Sequence, residues 1–197
     1  MKFFRAIPIA QYTPGEELRR HPGRRLPSNI PYMVDNLWEF TRPSGRPSRR
    51  HAVYASPSPE LALSYAIVGG AARTGYIACE IRFRKDPAFM QLPVEDAKLH
   101  PDILVHQQFV NRKLGSWSAL ALDRKVELAP LFLPGITRAE LLGAMGTSTL
   151  LDEVVREASA LVTFWWLEGR MQETGELFFE IDDDNVYTLD PVEALAS

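Results

Sequence analysis

The stretch HAVYASPSPELALSYA, residues 51–66, decides the fold, because it joins a strand, a turn and a helix start within sixteen residues. Residues 52–55 form a short apolar run with a β-branched and an aromatic member, which predicts a strand. Ser58 then fits a helix N-cap and Pro59 the first helical position. The pattern therefore predicts a helix that starts here and ends at Gly69-Gly70.

Further strands are predicted on both sides of this stretch, wherever short apolar or alternating runs are bounded by turn residues. The runs are residues 2–9, 75–83, 89–92, 118–122, 126–133, 176–181 and 186–189. The last two flank the acidic turn Asp182-Asp183-Asp184-Asn185, so we expect them to form a hairpin.

Helices are predicted mainly in the second half of the chain. Residues 102–114 carry apolar side chains at helical spacing, and Thr137 with Glu140 forms a capping box at the start of a short helix. A longer amphipathic helix is predicted from Thr149 through Trp165, with its end at Gly169. Together with the strands, these helices predict an α+β fold.

Length and composition favour one globular domain. The chain has 197 residues and a single cysteine, which excludes an intramolecular disulfide. Cys79 falls on the apolar side of an alternating strand, so we expect a core thiol. No run reaches the ~20 apolar residues of a membrane span, and no cleavable signal opens the chain. These features predict a cytoplasmic protein with no membrane partner.

The charge is unevenly distributed along the chain. Residues 1–50 contain ten Lys and Arg against four Asp and Glu, net +6, whereas residues 51–197 contain twelve against twenty-one, net −9. A basic quarter on an acidic body favours a local anion site, and the Arg-rich segment 41–50 has side chains suited to phosphate. A solvated surface and a basic linker explain the same counts, so both interpretations stay open.

No metal site is predicted. His100 and His106 have no second imidazole or acid at metal-ligand spacing. The aspartates of residues 182–184 lack the closing glutamate of a calcium loop.

Three separate segments carry the candidate chemistry. Arg5 lies on the first predicted strand, on the face it shares with two apolar side chains, which fits either a rim residue or an anion ligand. Tyr54, Ser56 and Ser58 stand where the middle strand ends and a helix begins, a place where polar ligands are often bound. Glu176 opens a late strand.

This combination resembles the ADP-ribosyltransferase superfamily, in the branch marked by an Arg, a Ser-Thr-Ser strand and a Glu. Residues 53–63, VYASPSPELAL, and the opening Phe4-Arg5 also resemble the RES-domain toxins, which share that fold and consume NAD. The resemblance implies a split, mostly antiparallel sheet core flanked by helices. It further implies a single domain over residues 1–197, with a largely helical insert at about 95–170.

The same resemblance implies roles for the candidate residues, with NAD as the substrate. Glu176 would bind a ribose hydroxyl and stabilise positive charge on the ribose, with Ser56 orienting it. Arg5 would hold the pyrophosphate or the adjacent ribose, and Ser58 would cap the helix. The aromatic rings expected to stack on nicotinamide are those of Tyr54, Tyr65 or Trp38.

The expected function is therefore NAD consumption, with ADP-ribose transferred to a protein or nucleic-acid acceptor or to water. In the protein-modifying members a Glu or Gln often stands two residues before the catalytic Glu, and here that position is Thr174. An antitoxin or activator protein is an expected partner. A non-catalytic module that uses its Arg-rich loops to contact an acidic or phosphorylated partner is the first alternative. An NAD-dependent enzyme acting on RNA 2′-phosphate is the second.

Overall fold

The computed structural model describes residues 2–20, 23, 26–27, 29–66, 75–166 and 173–192. Within these residues the chain forms six strands: β1 (Phe4–Pro8), β2 (Ala52–Ala55), β3 (Tyr76–Phe83), β4 (Ala88–Gln91), β5 (Leu177–Glu180) and β6 (Tyr187–Pro191). It also forms six α-helices: α1 (Tyr32–Thr41), α2 (Pro59–Ala66), α3 (Pro101–Leu114), α4 (Leu122–Phe132), α5 (Arg138–Met145) and α6 (Thr149–Ser159). The protein is thus of the α+β class, as its sequence pattern predicts.

The strand, turn and helix of residues 51–66 form as expected. Ser58 accepts a hydrogen bond from the backbone N–H of Leu61 at 3.2 Å, and Pro59 is the first residue of α2. The hydroxyl therefore satisfies one of the donors that a helix start leaves unpaired. The predicted helix end at Gly69-Gly70 lies outside the described residues.

The strands form two three-stranded antiparallel sheets. Their orders are β1-β3-β6 and β2-β5-β4. The sheets are joined where Phe4 and Ser56 exchange backbone hydrogen bonds of 2.9 and 2.7 Å. This bridge places the exit of β2 directly beside β1.

The predicted hairpin of the two last strands is wrong. β5 is the middle strand of one sheet, between β2 and β4, whereas β6 pairs with β3 in the other. The reason lies in Leu177-Phe178-Phe179, which are buried on both faces of the strand. Since a middle strand has neighbours on both edges and both faces, this apolar run is better satisfied there than in a two-stranded hairpin.

The core of the strands lies between the two sheets. Alternate residues of both sheets meet there, among them Ile7, Cys79, Leu177, Phe179 and Leu189. On the opposite face of the first sheet, α2 packs against β1 and β3. Cys79 is fully buried, and burial, followed by the charge of Asp190, raises the pKa of its thiol, as expected of a core cysteine.

The chain divides into two compact units. Unit 1 consists of residues 1–23, 45–96 and 168–197 and contains all six strands and α2. Unit 2 consists of residues 24–44 and 97–167 and contains the other five helices described. The sequence predicts a single domain with a helical insert at about 95–170; the helices of that segment fall in unit 2, together with α1, and the insert itself stays a prediction.

The two strands predicted at 118–122 and 126–133 are wrong. Residues 117–119 form a 3-10 turn, and α4 follows despite Pro130 within it. Leu128 and Leu131 are both fully buried at helical spacing, so packing in unit 2 decides the conformation over local β propensity. Asn36 Nδ2 donates to the carbonyls of Leu131 and Leu133 at 2.7 and 2.8 Å, which secures the end of α4.

The other helices of unit 2 follow the sequence with one difference. The capping box of Thr137 and Glu140 is present at the start of α5, and α3 matches its predicted span. The last helix, α6, ends at Ser159, whereas helical spacing predicts that it continues to Trp165; the predicted stop at Gly169 lies outside the described residues. Among the helices of the described ranges, none has the length and apolar character needed to cross a bilayer.

Candidate functional site

Strand register brings Ser56 and Glu176 together at one end of the β2-β5-β4 sheet. Ala55 and Leu177 form the last pair of the β2–β5 ladder, and Ser56 and Glu176 are the residues directly beyond it, so both lie at the same end of the two strands. The backbone of Glu176 is held on its other side, where its carbonyl accepts from Leu92 N at 2.8 Å and its N–H donates to the carbonyl of Val94 at 2.9 Å. Ser56 is 4% exposed and the Glu176 side chain 13% exposed, so this strand end is largely enclosed.

Gly175 makes this arrangement sterically feasible. Its φ is +125°, and a Cβ atom at this position would lie 2.1 Å from the carbonyl oxygen of Leu92. Only glycine combines that backbone conformation with so close an approach. The backbone conformation of Gly175 therefore determines the position of the Glu176 side chain.

A cation in contact with Glu176 is Arg49, and sequence reasoning did not single it out. Its Nη2 lies 3.1 Å from Glu176 Oε1, and the two side chains are 11% and 13% exposed. The sequence feature that could have indicated it is the Arg-rich segment 41–50. The arginines of that segment cannot be told apart from sequence, because Glu176 is far away along the chain.

The turn that carries Arg49 is fixed by contacts within unit 1. Ser48 caps the 3-10 turn Arg49–His51, and its own N–H donates to Glu180 Oε2 at 2.8 Å. Tyr54 donates its hydroxyl to the Arg49 carbonyl at 2.8 Å, and the guanidinium carbon lies 5.4 Å from the centre of the Tyr54 ring. Tyr54 therefore positions the Arg49 backbone and lies within cation–π distance of its charge.

Tyr65 brings a phenol from α2 toward the same group of charges. Burial, followed by the charges of Glu95, Glu176 and Asp96, raises the pKa of Tyr65 above its ordinary value. Its hydroxyl oxygen is buried and has no hydrogen-bond partner among the described residues. A buried hydroxyl normally has a partner, so this oxygen is suited to contact a ligand.

The structure does not bring Arg5 into this group. Phe4 pairs directly with Ser56 and so shares its face of the sheet, and the alternation of side chains along a strand turns Arg5 to the opposite face. There Arg5 Nη1 lies 3.5 Å from the hydroxyl of Tyr187, a member of the core between the sheets. The arginine that the structure shows in contact with Glu176 is therefore Arg49, and the expected role of Arg5 stays a prediction.

Trp38 belongs to unit 2 and fills its core. The ring is 2% exposed, stacks on Phe164 at 4.1 Å between centroids, and donates Nε1–H to Asp102 at 2.9 Å. A ring enclosed in this way offers no face to a nicotinamide. Of the three aromatic residues predicted to stack on a ligand, Tyr54 and Tyr65 therefore remain candidates.

Part of the basic N-terminal quarter is neutralised within unit 1. Arg20 pairs with Asp183 at 2.6 Å, and Arg19 donates to the Asp183 carbonyl at 3.3 Å. Lys85 pairs with Asp184 at 2.5 Å, so the acidic turn binds side chains of the protein. Among the described residues no group of three or more His, Cys, Asp and Glu side chains is arranged to hold a metal ion.

The resulting site contains a carboxylate, a guanidinium, two phenols and a serine at a strand end, next to the α2 N-terminus. Ser58 is engaged there as the helix cap, as predicted. This set can bind an anion through Arg49 and stabilise a developing cation through Glu176.

Comparison with known proteins gives no relative. No family model matches the chain, and neither the curated proteins nor the solved structures include a significant match.

Proposed function

We propose that unit 1 is an NAD-consuming enzyme that cleaves the bond between nicotinamide and ribose. The observation that carries the proposal is the Arg49 guanidinium 3.1 Å from the Glu176 carboxylate, at the strand end where Ser56 and Glu176 both follow the last β2–β5 pair. The site thereby offers negative charge for the reacting ribose and positive charge for the pyrophosphate.

The proposed chemistry needs no metal ion. The C1′–N bond breaks with its electron pair going to the pyridinium nitrogen, so nicotinamide leaves as a neutral base. The ribosyl carbon acquires oxocarbenium character, which the Glu176 carboxylate stabilises electrostatically. Water or an acceptor hydroxyl then forms the new bond to C1′ and gives up a proton to solvent.

The aromatic residues supply position. Tyr54 and Tyr65 lie on the strand and the helix that bound the site, and either ring is suited to stack on nicotinamide. Holding the dinucleotide in one orientation contributes to the rate because it removes rotational freedom before the reaction.

The wider architecture is part of the same proposal. Two antiparallel sheets joined at Phe4 and Ser56, with α2 beside them, support an ADP-ribosyltransferase-like arrangement of unit 1. Transfer to a protein or nucleic acid, hydrolysis, and control by an antitoxin or activator protein in the cytoplasm are the finer forms it can take.

A second candidate function is a non-catalytic binding module. It is favoured by the Arg49–Glu176 ion pair, in which the proposed catalytic carboxylate is already partly neutralised, and by Arg5 lying on the other face. In that case the same surface would contact a phosphorylated or acidic partner.

Nicotinamide release from NAD tests the proposal. The wild-type chain should release nicotinamide, and Glu176→Gln should lower the rate at least a hundredfold, as typically results from removing one electrostatic stabiliser. Arg49→Gln should impair the reaction more than Arg5→Gln. The absence of release by folded wild-type protein, over a range of candidate acceptors, would leave the binding module ahead.

A further inference from the structure

We propose that the Arg49–Glu176 ion pair is a built-in competitor at an anion site, and that a pyrophosphate group binds Arg49 by displacing Glu176. The inference deepens the proposed function, because it states how the substrate's charged part opens the site. It assigns Arg49 as a positioning residue that exchanges one anion for another.

The burial of the pair favours such an exchange. Both side chains are nearly enclosed, at 11% and 13% exposure, so each has lost much of its hydration. The opposite charge of the partner compensates for that loss. Breaking a buried pair without replacement is costly, whereas replacing the carboxylate by another anion keeps the guanidinium compensated. An arginine fork binds phosphate oxygens with the same planar geometry that it uses for carboxylates.

The surroundings of Arg49 keep it in place during the exchange. The Ser48 cap, the Ser48 contact with Glu180 and the Tyr54 hydroxyl all act on the backbone of the turn. The turn can therefore stay fixed while the Glu176 side chain rotates away. Strand β5, which carries Glu176, is held by backbone bonds that do not involve its carboxylate.

Tyr65 provides a second group that the exchange would use. Its buried hydroxyl has no hydrogen-bond partner within the described ranges, and the charge of Glu176 acts on it. A carboxylate that leaves Arg49 stays at the strand end that Ser56 also occupies, where its charge continues to act on this phenol. Displacement would thus convert a carboxylate that neutralises arginine into one that can accept hydrogen bonds from a ribose.

Competition between Glu176 and pyrophosphate for Arg49 predicts a result that a simple contact between Glu176 and the ligand does not. If Glu176 competes with the incoming anion, removing its charge must strengthen anion binding, although the same change should lower the rate of nicotinamide release at least a hundredfold. If Glu176 does not compete for Arg49, removing its charge should strengthen binding no more than removing another nearby carboxylate does.

Titration calorimetry with inorganic pyrophosphate tests this difference. We expect Glu176→Gln and Glu176→Ala each to bind pyrophosphate about tenfold more tightly than the wild type, which corresponds to about 1.4 kcal/mol. Arg49→Gln should weaken binding at least tenfold. Circular dichroism and thermal unfolding of each variant establish that the fold is retained.

Two control variants separate local competition from general electrostatics. Glu60→Gln removes an exposed carboxylate from the first turn of α2 and should change the affinity less than twofold. Arg82→Gln removes a paired but exposed guanidinium, bound to Glu80 and Asp190, and should have no effect.

Several results would overturn the inference: unchanged or weaker binding in both Glu176 variants, an equal gain in Glu60→Gln, or no binding by any of the folded proteins. The proposed function fails separately. Tighter pyrophosphate binding by the Glu176 variants, without nicotinamide release by the wild type, would support the anion exchange and reject the enzyme. Nicotinamide release that depends on Glu176, without tighter pyrophosphate binding by the variants, would support the enzyme and reject the exchange.

Discussion

Each unit holds a nearly enclosed carboxylate, and the two are held in opposite ways. In unit 2, Asp102 is 1% exposed and accepts from Trp38 Nε1 at 2.9 Å, Thr163 Oγ1 at 2.6 Å, and the backbone N–H groups of Thr163 and Phe164 at 3.1 Å. In unit 1, Glu176 meets the end of a long arginine side chain.

This difference separates a structural carboxylate from one suited to exchange its partner. The donors around Asp102 are backbone groups and short or rigid side chains that cannot follow another anion. The guanidinium at Glu176 has several rotatable bonds and can accept a different anion without movement of the backbone. The same chemical group is thus fixed in one unit and replaceable in the other.

The largest expected effect is the loss of the Asp102 carboxylate. Asp102→Ala leaves an indole N–H, a hydroxyl and two backbone N–H groups without their acceptor, so we expect it to destabilise unit 2 by about 3–5 kcal/mol. Urea unfolding followed by tryptophan fluorescence measures it. Asp123→Ala, at an exposed position in α4, is the control and should cost well under 1 kcal/mol.

The next largest effect is expected at Gly175. Gly175→Ala combines an unfavourable φ with a Cβ 2.1 Å from a backbone oxygen, so the start of β5 must shift. We expect a loss of about 2 kcal/mol or more, with reduced nicotinamide release because Glu176 moves with its neighbour. Gly45→Ala, at a positive φ with open space around it, should cost less.

Glu176→Gln should cost far less stability than Asp102→Ala. The buried Arg49 charge loses its counterion but keeps a neutral amide as hydrogen-bond acceptor, so we expect about 1–2 kcal/mol, below the cost of a buried pair broken without replacement. A loss as large as that of Asp102→Ala in the same urea assay would remove the contrast between the two carboxylates.

Alkaline pH should act on unit 1 through Tyr65. Because the pKa of Tyr65 is raised above its ordinary value of 10.0, the folded state holds this proton more tightly than the unfolded state. The resulting stability is complete below pH 10 and is lost as the pH rises through the folded-state pKa. Tyr65→Phe should flatten the decline in unfolding free energy that is measured as the pH is raised above 10.

The smallest effect is expected at the acidic turn. Arg20→Ala removes a pair with Asp183 whose acidic partner is 83% exposed, so we expect less than about 1 kcal/mol and a weaker effect at high salt. Thermal unfolding at low and high ionic strength measures it. A loss above 2 kcal/mol would mean that this turn stabilises unit 1 much as Asp102 stabilises unit 2.

The parts of the fold that the sequence could predict are those that local chemistry decides. The strand and capped helix of residues 52–66, the alternation of β3 and the capping box at Thr137 all depend on neighbours within a few positions. The same local rules produced the wrong hairpin, because residues 182–185 have turn chemistry whichever sheets the flanking strands join.

The candidate site was predictable only in part, because it depends on long-range pairing. Ser56 and Glu176 could be proposed from their strand-end positions, but whether Arg5 joins them depends on which face each strand presents at the Phe4–Ser56 bridge. Arg49 reaches Glu176 across 127 positions of sequence, and no local pattern distinguishes it from the other arginines of its segment.

The middle position of β5 has a consequence for how the protein is made. β2 and β4 both pair with β5, so they have no common partner until Leu177 and its neighbours leave the ribosome. The β6 partner of β3 is synthesised later still. We therefore expect the nascent chain to expose unpaired strand edges throughout most of translation, a condition that favours chaperone binding and misassembly. The helices of residues 97–167 do not depend on these late strands and can form before β5 and β6 are synthesised.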